Sequence, residues 1–379
     1  MGAASKAETP STPEASLIGA KLAQLETPAL LVDMAAMERN LAAMAGFFRT
    51  RTAKLRPHFK NHRVLALADR QMEVGAIGLT CARLWQAERL VRHGIKSVLV
   101  ANEIAGESMM REFVELSHAA PVIVAVDSAR MVDELARVAG QARGMLNVVV
   151  DIDLGLNRCG VPPGEAPLGL ARHVLSRGLK LRGLMGYEGH LQPLPPGPAK
   201  QRSVAAALEM LVDARKRLEG SGIPVEIVSC GGTGDFTVAG DFPGITEVQA
   251  GSYLLMDTWY APAAPQFEVT LTVLATVLSK SPGKRLVLDA GVKAISGERG
   301  LPSVKGQPRL VVKALHAEHA ILEILEGDVP VEVGDTLELR VHYHDGTINL
   351  HDRMVGVRDG IVEQTFMIES RPRGPRGGQ

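Results

Sequence analysis

The chain has 379 residues, 46% hydrophobic and 22% charged, and its 42 Lys plus Arg balance 42 Asp plus Glu. That length exceeds one typical core, so two domains, or one barrel with an appendage, are expected. The balanced charge excludes a global field toward nucleic acid or anionic lipid and leaves a small molecule as the expected partner.

Residues 1–25, rich in Ala, Ser, Thr, Pro and Glu, read as a disordered lead-in and not as a signal peptide. From Thr27 onward, short apolar runs alternate with helix-like segments: PALLVD then MERNLAAMAGFF, AIGLT then ARLWQAERLVRHG, SVLVA then EIAGESMMREFVELS, PVIVAVD then SARMVDELARVAGQA. The alternation continues through NVVVDID, LRGLMGYEGH and VEIVSCGG. β-Branched runs bounded by turns and followed by helical periods predict a parallel sheet, hence an α/β fold. This many βα units across residues 35–265 predict a closed (β/α)8 barrel, which needs about 250 residues. ETPALLVD either opens that barrel or adds a strand to a second domain.

After Pro265 the texture changes. FEVTLTVLATVLSK, KRLVLDAG, PRLVVKALHAEHAILEI, VPVEVGDTLELRVHY and RMVGVRDGIVEQTFMI show period-2 runs broken by Gly, Asp and Pro. They predict a mostly antiparallel β domain built from residues 26–34 and 266–370. The basic end, 371–379, reads as a disordered tail. Cys81, Cys159 and Cys230 are too dispersed for a zinc finger or a two-disulfide framework, which points to a reducing compartment, the cytoplasm. No run of about twenty apolar residues is present to span a bilayer.

Several segments carry chemistry. TAKLRPHFK places Lys60 at the C-terminal end of the first barrel strand, where barrel active sites lie. Arg56, His58 and His62 flank it, and positive charge with partial burial makes an amine nucleophilic toward an aldehyde. IVSCGGTGDF supplies Gly231, Gly232, Thr233 and Gly234 in one turn, and QAGSYLLMD supplies Gly251, Ser252 and Tyr253 in the next. Backbone N–H groups and hydroxyls so arranged suit a phosphate dianion, alongside the plainer reading of tight turns. VDIDLGLNRCGV ends a strand with Asn157 and Arg158, and GYEGHLQ ends the next with Tyr187, Glu188 and His190. Arg158 either faces a ligand or pairs with Asp151 or Asp153; His190 suits proton transfer. In RVHYHDGTINLHD, His342, Tyr343, His344, Asp345, His351 and Asp352 fall close together. On a strand, His342 would share a face with His344, or Tyr343 with Asp345, as divalent-metal donors or as a polar strand end.

Taken in order, TPALLVD, RPHFKNH, GLTCARLWQAE, DIDLGLNRCGV, GYEGH, SCGGTG, QAGSY, DAGVKAIS, AEHAIL and TINLHD resemble the D-threonine aldolase and D-serine dehydratase family, relatives of the barrel-fold alanine racemases. The resemblance runs from Glu26 to Ile368. It implies a homodimeric fold-type III pyridoxal 5'-phosphate enzyme with Lys60 as the Schiff-base lysine and Arg158 facing the pyridine nitrogen. Tyr187 would line the cofactor, and Gly231, Gly232, Thr233, Gly251, Ser252 and Tyr253 would hold its phosphate. Family members bind a divalent metal (Mn, Mg or Zn) through a His and a second ligand two residues later, Asp in aldolases and Cys in dehydratases. In register with Asn349 and Leu350 the second position is Asp345, as in an aldolase, whereas the first is Tyr343. His342 or His344 is then the implied imidazole beside Asp345. The implied reaction is retro-aldol cleavage of a D-β-hydroxy amino acid to glycine and an aldehyde, with His190 as base. Alternatives are a dehydratase of D-serine or 3-hydroxy-D-aspartate, an amino-acid racemase, or a non-catalytic cofactor-binding protein. Glu318 and His319 receive no role.

Overall fold

The computed structural model describes residues 17–281 and 284–370. Residues 1–16 and 371–379, read above as parts of a lead-in and a tail, lie outside the described residues. The chain divides into two compact units, Met1–Ala36 with Thr270–Met367, and Met37–Val269 with Ile368–Gln379.

In chain order, β1 (Ala29–Asp33) and α1 (Met34–Arg49) lead into β2 (Lys54–Leu55), α2 (Leu65–Glu73), β3 (Leu79–Cys81), α3 (Leu84–His93), β4 (Val98–Val100) and α4 (Glu107–Ala119). Then come β5 (Ile123–Val126), α5 (Ala129–Ala139), β6 (Asn147–Ile152), α6 (Ala166–Ser176), β7 (Lys180–Gly186), α7 (Pro198–Gly220), β8 (Ile227–Cys230), α8 (Phe236–Asp241) and β9 (Glu247–Val248). The remaining elements are β10 (Leu271–Ser281), β11 (Arg285–Leu288), β12 (Ser303–Val304), β13 (Leu310–Leu315), β14 (Ala320–Ile324), β15 (Thr336–Arg340), α9 (His344–Ile348), β16 (Arg353–Arg358) and β17 (Ile361–Met367).

The unit of Met37–Val269 holds the predicted parallel sheet, in the order β2-β9-β8-β7-β6-β5-β4-β3. Its two ends meet through a parallel bridge between His58 and Thr80, with Phe59 N donating to Thr80 O at 2.7 Å and Thr80 N to Pro57 O at 2.9 Å. The barrel therefore closes two residues before Lys60. β5 and β6 consist largely of Val and Ile and are buried throughout, as strands covered on both faces must be. Leu99, Ile123, Ala125, Val149, Met185 and Ile227 form an interior cluster, and burial of each larger side chain stabilises by about 1.5–3 kcal/mol. The helices bury one stripe. α5 opens on Ser128, whose hydroxyl accepts the Met131 amide at 3.4 Å, and turns Met131, Val132, Leu135, Ala136 and Ala139 inward.

The other unit is mostly antiparallel. β1 pairs antiparallel with β10 and parallel with β16, so ETPALLVD joins this sheet, the second of the two alternatives. Residues 17–25 are not the disordered lead-in expected of them. Val362 N donates to Ala20 O and Gly19 N to Val362 O, each at 2.9 Å, while Leu17, Ala20 and Leu22 cover a buried cluster that includes Leu31, Leu274 and Val355. Burial of those leucines offsets the ordering entropy that a polar segment could not. The segment HDGTI is a further departure: it forms α9, not a strand.

Candidate active site

Past β2 the chain stays in step with the residues after β9: Arg56 N donates to Val248 O at 2.9 Å and His58 N to Ala250 O at 3.2 Å. This delivers Lys60, exposed, at the C-terminal rim beside Gly251, where an added Cβ would lie 2.8 Å from His58 O. The three expected cationic neighbours act differently. Arg56 is buried, forked onto Glu247 at 2.8 and 2.9 Å, and so belongs to the barrel wall. His58 accepts the Lys60 amide at Nδ1 (3.4 Å), and burial, then the charges of Lys60 and Arg158, hold its imidazole well below the usual histidine range. His62 is buried; its Nδ1 accepts the Val64 amide, which leaves the ring proton on Nε2 to donate to Gln71 Oε1 at 3.2 Å. The positive charge on this rim comes instead from Arg158.

Asn157, at φ 55°, and Asp153 build the turn that presents Arg158: Asp153 Oδ1 accepts the amides of Gly155 (2.9 Å) and Asn157 (3.0 Å). Asp153 is thus committed to backbone, and Arg158 is exposed with its Cζ 5.7 Å from the Tyr187 ring centroid. The Tyr187 hydroxyl is pushed upward by burial and by its neighbour Tyr260. Next to Arg158 in sequence, Cys159 meets two acids: side-chain donor atoms of Glu103, Asp127 and Cys159 lie within 4.8 Å of one another. Beside them Asp151 is buried, and burial with the Glu103 charge pushes its carboxyl up to about 8. Glu103, Asp127 and Cys159 stand singly on the loops after β4, β5 and β6, so spacing held no signal of their meeting. His190 sits in a single 3-10 turn, Gly189–Leu191, exposed, with its ring over Gly155 on the Arg158 loop: an added Cβ at Gly155 would lie 3.3 Å from Cε1.

The two glycine turns are joined. Tyr253 N donates to Thr233 Oγ1 at 3.0 Å, and the Tyr253 hydroxyl, fully buried, accepts from Gln71 Nε2 at 3.0 Å. Tyr253 is therefore a strut between the turns. Gly231 takes φ 75°, Gly232 N donates to Asp235 Oδ1 at 2.8 Å, and Gly234 N donates to Gln192 Oε1 at 2.9 Å. Among the described residues the amides of Thr233, Gly251 and Ser252 meet no protein acceptor, although Thr233 is buried. Buried amides are almost always paired, so these three, with the Thr233 and Ser252 hydroxyls, fit a phosphate. Sequence reading missed Glu188, Gln192 and Asp235 as a group; GYEGHLQ and GTGDF contain them, but nothing in their spacing joins the two segments.

In the antiparallel unit the alternation assumed for 342–345 is replaced by a helical turn, which places His344 fully buried with Nε2 3.7 Å from Asp345 Oδ1. His342 instead lies against Gly300, where an added Cβ would be 2.5 Å from its ring. The Tyr343 hydroxyl donates to Asp345 Oδ2 at 3.5 Å, under the Arg299 guanidinium 4.9 Å from the ring. One imidazole and one carboxylate make a two-donor nitrogen and oxygen pair suited to a borderline divalent ion. His351 Nε2 donates to Ala294 O at 2.8 Å, and Glu318 pairs with Lys293.

A family model described as alanine racemase, N-terminal domain, matches residues 32–258, and a serine dehydratase domain model matches 270–357. The chain is 34% identical to a D-threonine aldolase of Arthrobacter sp over 93% of its own length and 94% of the relative's. It is 31% identical to a 3-hydroxy-D-aspartate aldolase of Paracoccus denitrificans (strain Pd 1222), covering 95% of each. The crystal structure of D-threonine aldolase from Filomicrobium marinum superposes with a TM-score of 0.88 at 33% identity, covering 93% of this chain and 97% of that one. Fold and rim together define an alanine racemase-like barrel enzyme, of the lyase class. The chain belongs to the D-threonine aldolase and D-serine dehydratase-like family. Among the described residues no helix is long and apolar enough to cross a membrane.

Proposed function

We propose that the chain cleaves D-threonine-like β-hydroxy amino acids to glycine and an aldehyde, using pyridoxal 5'-phosphate carried on Lys60. The observation that supports the cofactor reading is the linkage of three sequence-distant segments on one rim: His58–Lys60 against Gly251, and Thr233 bonded to Tyr253. When bound, the cofactor supplies an electron-poor ring that accepts the electron pair left at Cα as the Cα–Cβ bond breaks. Lys60 would hold its aldehyde carbon, Arg158, beside Tyr187, would face the pyridine nitrogen, and Thr233, Gly251 and Ser252 would hold the phosphate. Gly231, Gly232 and Tyr253 shape that phosphate site.

His190, over the Arg158 loop, takes the β-hydroxyl proton. That hydroxyl's O–H electron pair becomes the aldehyde carbonyl, and the proton His190 took is balanced by one returned to Cα, giving glycine. A divalent ion (Mn, Mg or Zn) on His344 and Asp345 would supply Lewis acidity toward a hydroxyl oxygen. Asp345 in place of Cys favours aldolase over dehydratase chemistry. The enzyme works as a homodimer in the cytoplasm, in keeping with three unpaired thiols.

Incubating the loaded enzyme with D- and L-threonine tests this reading. Glycine and acetaldehyde should form from the D isomer alone, fall away in excess chelator, and return with Mn²⁺. Cleavage of the L isomer, or none of either, would overturn it.

A further inference from the structure

The turn Gly231–Gly234 alternates. Gly232 N and Gly234 N face protein acceptors, Asp235 Oδ1 at 2.8 Å and Gln192 Oε1 at 2.9 Å, while among the described residues the intervening Thr233 N meets none. The two acceptors are themselves locked together, because Gln192 Nε2 donates to Asp235 Oδ2. The orientation of the Gln192 amide is thereby fixed, because its oxygen accepts from Gly234 and its nitrogen donates to Asp235. Lys200 anchors the Gln192 segment from behind, donating to Gln192 O and Leu194 O, each at 2.8 Å. Gln192, Asp235 and Lys200 are 1%, 2% and 5% exposed.

The glycines follow from this support. A Cβ at Gly232 would lie 2.6 Å from Gln192 Oε1, and one at Gly234 would lie 2.3 Å from the Gln192 carbonyl oxygen. The close approach of Gln192, and not a ligand, therefore demands both glycines. Thr233 then carries the outward function: its Oγ1 accepts the Tyr253 amide, which leaves its hydroxyl proton free to donate.

We propose that Asp235 and Gln192 are positioning residues for the cofactor phosphate. By drawing the Gly232 and Gly234 amides inward, they leave the Thr233 amide and hydroxyl, with the Gly251 and Ser252 amides, as the donors the dianion meets. This rests on the reading of the rim as a pyridoxal-phosphate site. The charge balance beneath the turn agrees with it. Burial, then the neighbouring Asp235, pushes the fully buried Glu188 carboxyl well above the usual carboxylate range, and burial pushes the Asp235 carboxyl up as well, with Lys200 opposing that shift. Both shifts favour the uncharged acids and so lessen the repulsion that a bound phosphate meets.

The test titrates the apoenzyme with pyridoxal 5'-phosphate and with pyridoxal, which lacks the phosphate, and follows the visible band of each. In the unaltered enzyme the phosphate form should bind far more tightly. In Asp235→Asn and Gln192→Met that preference should fall at least tenfold, with affinity for pyridoxal kept within about twofold. Melting curves establish which variants are folded, and Gln192→Met, which keeps side-chain volume, serves if Asp235→Asn does not fold. An unchanged preference in a folded variant would overturn the proposal while leaving the cofactor reading intact, as would an equal loss for both ligands. No visible band with either ligand in the unaltered enzyme would overturn both.

Discussion

The amide of Tyr253 donates to Thr233 Oγ1 at 3.0 Å, and this one bond ties the turn after β8 to the turn after β9. Thr233→Val keeps the shape and removes the acceptor, leaving the buried Tyr253 amide unpaired at about 1–3 kcal/mol. Thr233→Ser keeps it. Cofactor affinity measured by equilibrium titration should fall about tenfold or more in Thr233→Val and stay near that of the unaltered enzyme in Thr233→Ser.

Lys60 stands on the rim where the barrel closes, two residues past the His58–Thr80 bridge. Lys60→Ala should lose the visible absorbance of the lysine-bound cofactor and reduce cleavage to background. Retention of that band in the variant would remove Lys60 from its role.

Burial and the Lys60 and Arg158 charges hold the His58 imidazole well below the usual histidine range in the folded chain, with His62 adding a smaller push in the same direction and the Thr80 backbone opposing it. A histidine whose folded pKa is depressed contributes stability above its unfolded value of about 6.5 that is lost as pH falls below it. The melting temperature of the apoenzyme should therefore fall from pH 7 to pH 5, and His58→Asn should flatten that slope. Parallel pH profiles for the two proteins would contradict the assignment.

Arg56 and Glu247, 6% and 3% exposed at their side chains, fasten β2 to β9. Breaking such a pair from one side strands a buried charge and costs about 3–5 kcal/mol. Arg56→Met should lower the denaturation free energy by that order, and restoring it should require Glu247→Leu in the same chain. A loss below about 1 kcal/mol would mean that the pair is solvated.

The barrel was legible because β-branched runs such as IVAV and NVVVDI, buried on both faces, alternate with amphipathic helices at a regular interval. ETPALLVD was ambiguous for the same reason: a short apolar run suits either sheet, and only pairing with β10 and β16 decides it. Lys60, Arg158 and the glycine turns were visible as residue types at strand ends. Their division of labour was not, because it depends on Gln192 and Asp235, which lie far apart in sequence and meet only across the folded rim. Likewise Arg56 read as a neighbour of Lys60 until Glu247, 191 residues away, claimed it. The 342–345 segment misled because period-2 reasoning presumes a strand, whereas the chain is extended only as far as Tyr343 and α9 begins at His344.

The most direct test of the account is product analysis with purified, cofactor-loaded enzyme on D-threonine, D-phenylserine, D-serine and 3-hydroxy-D-aspartate. Glycine plus the matching aldehyde, in equal amounts and absent with Lys60→Ala, is the predicted result. A 2-oxo acid with ammonia as the main product would contradict it.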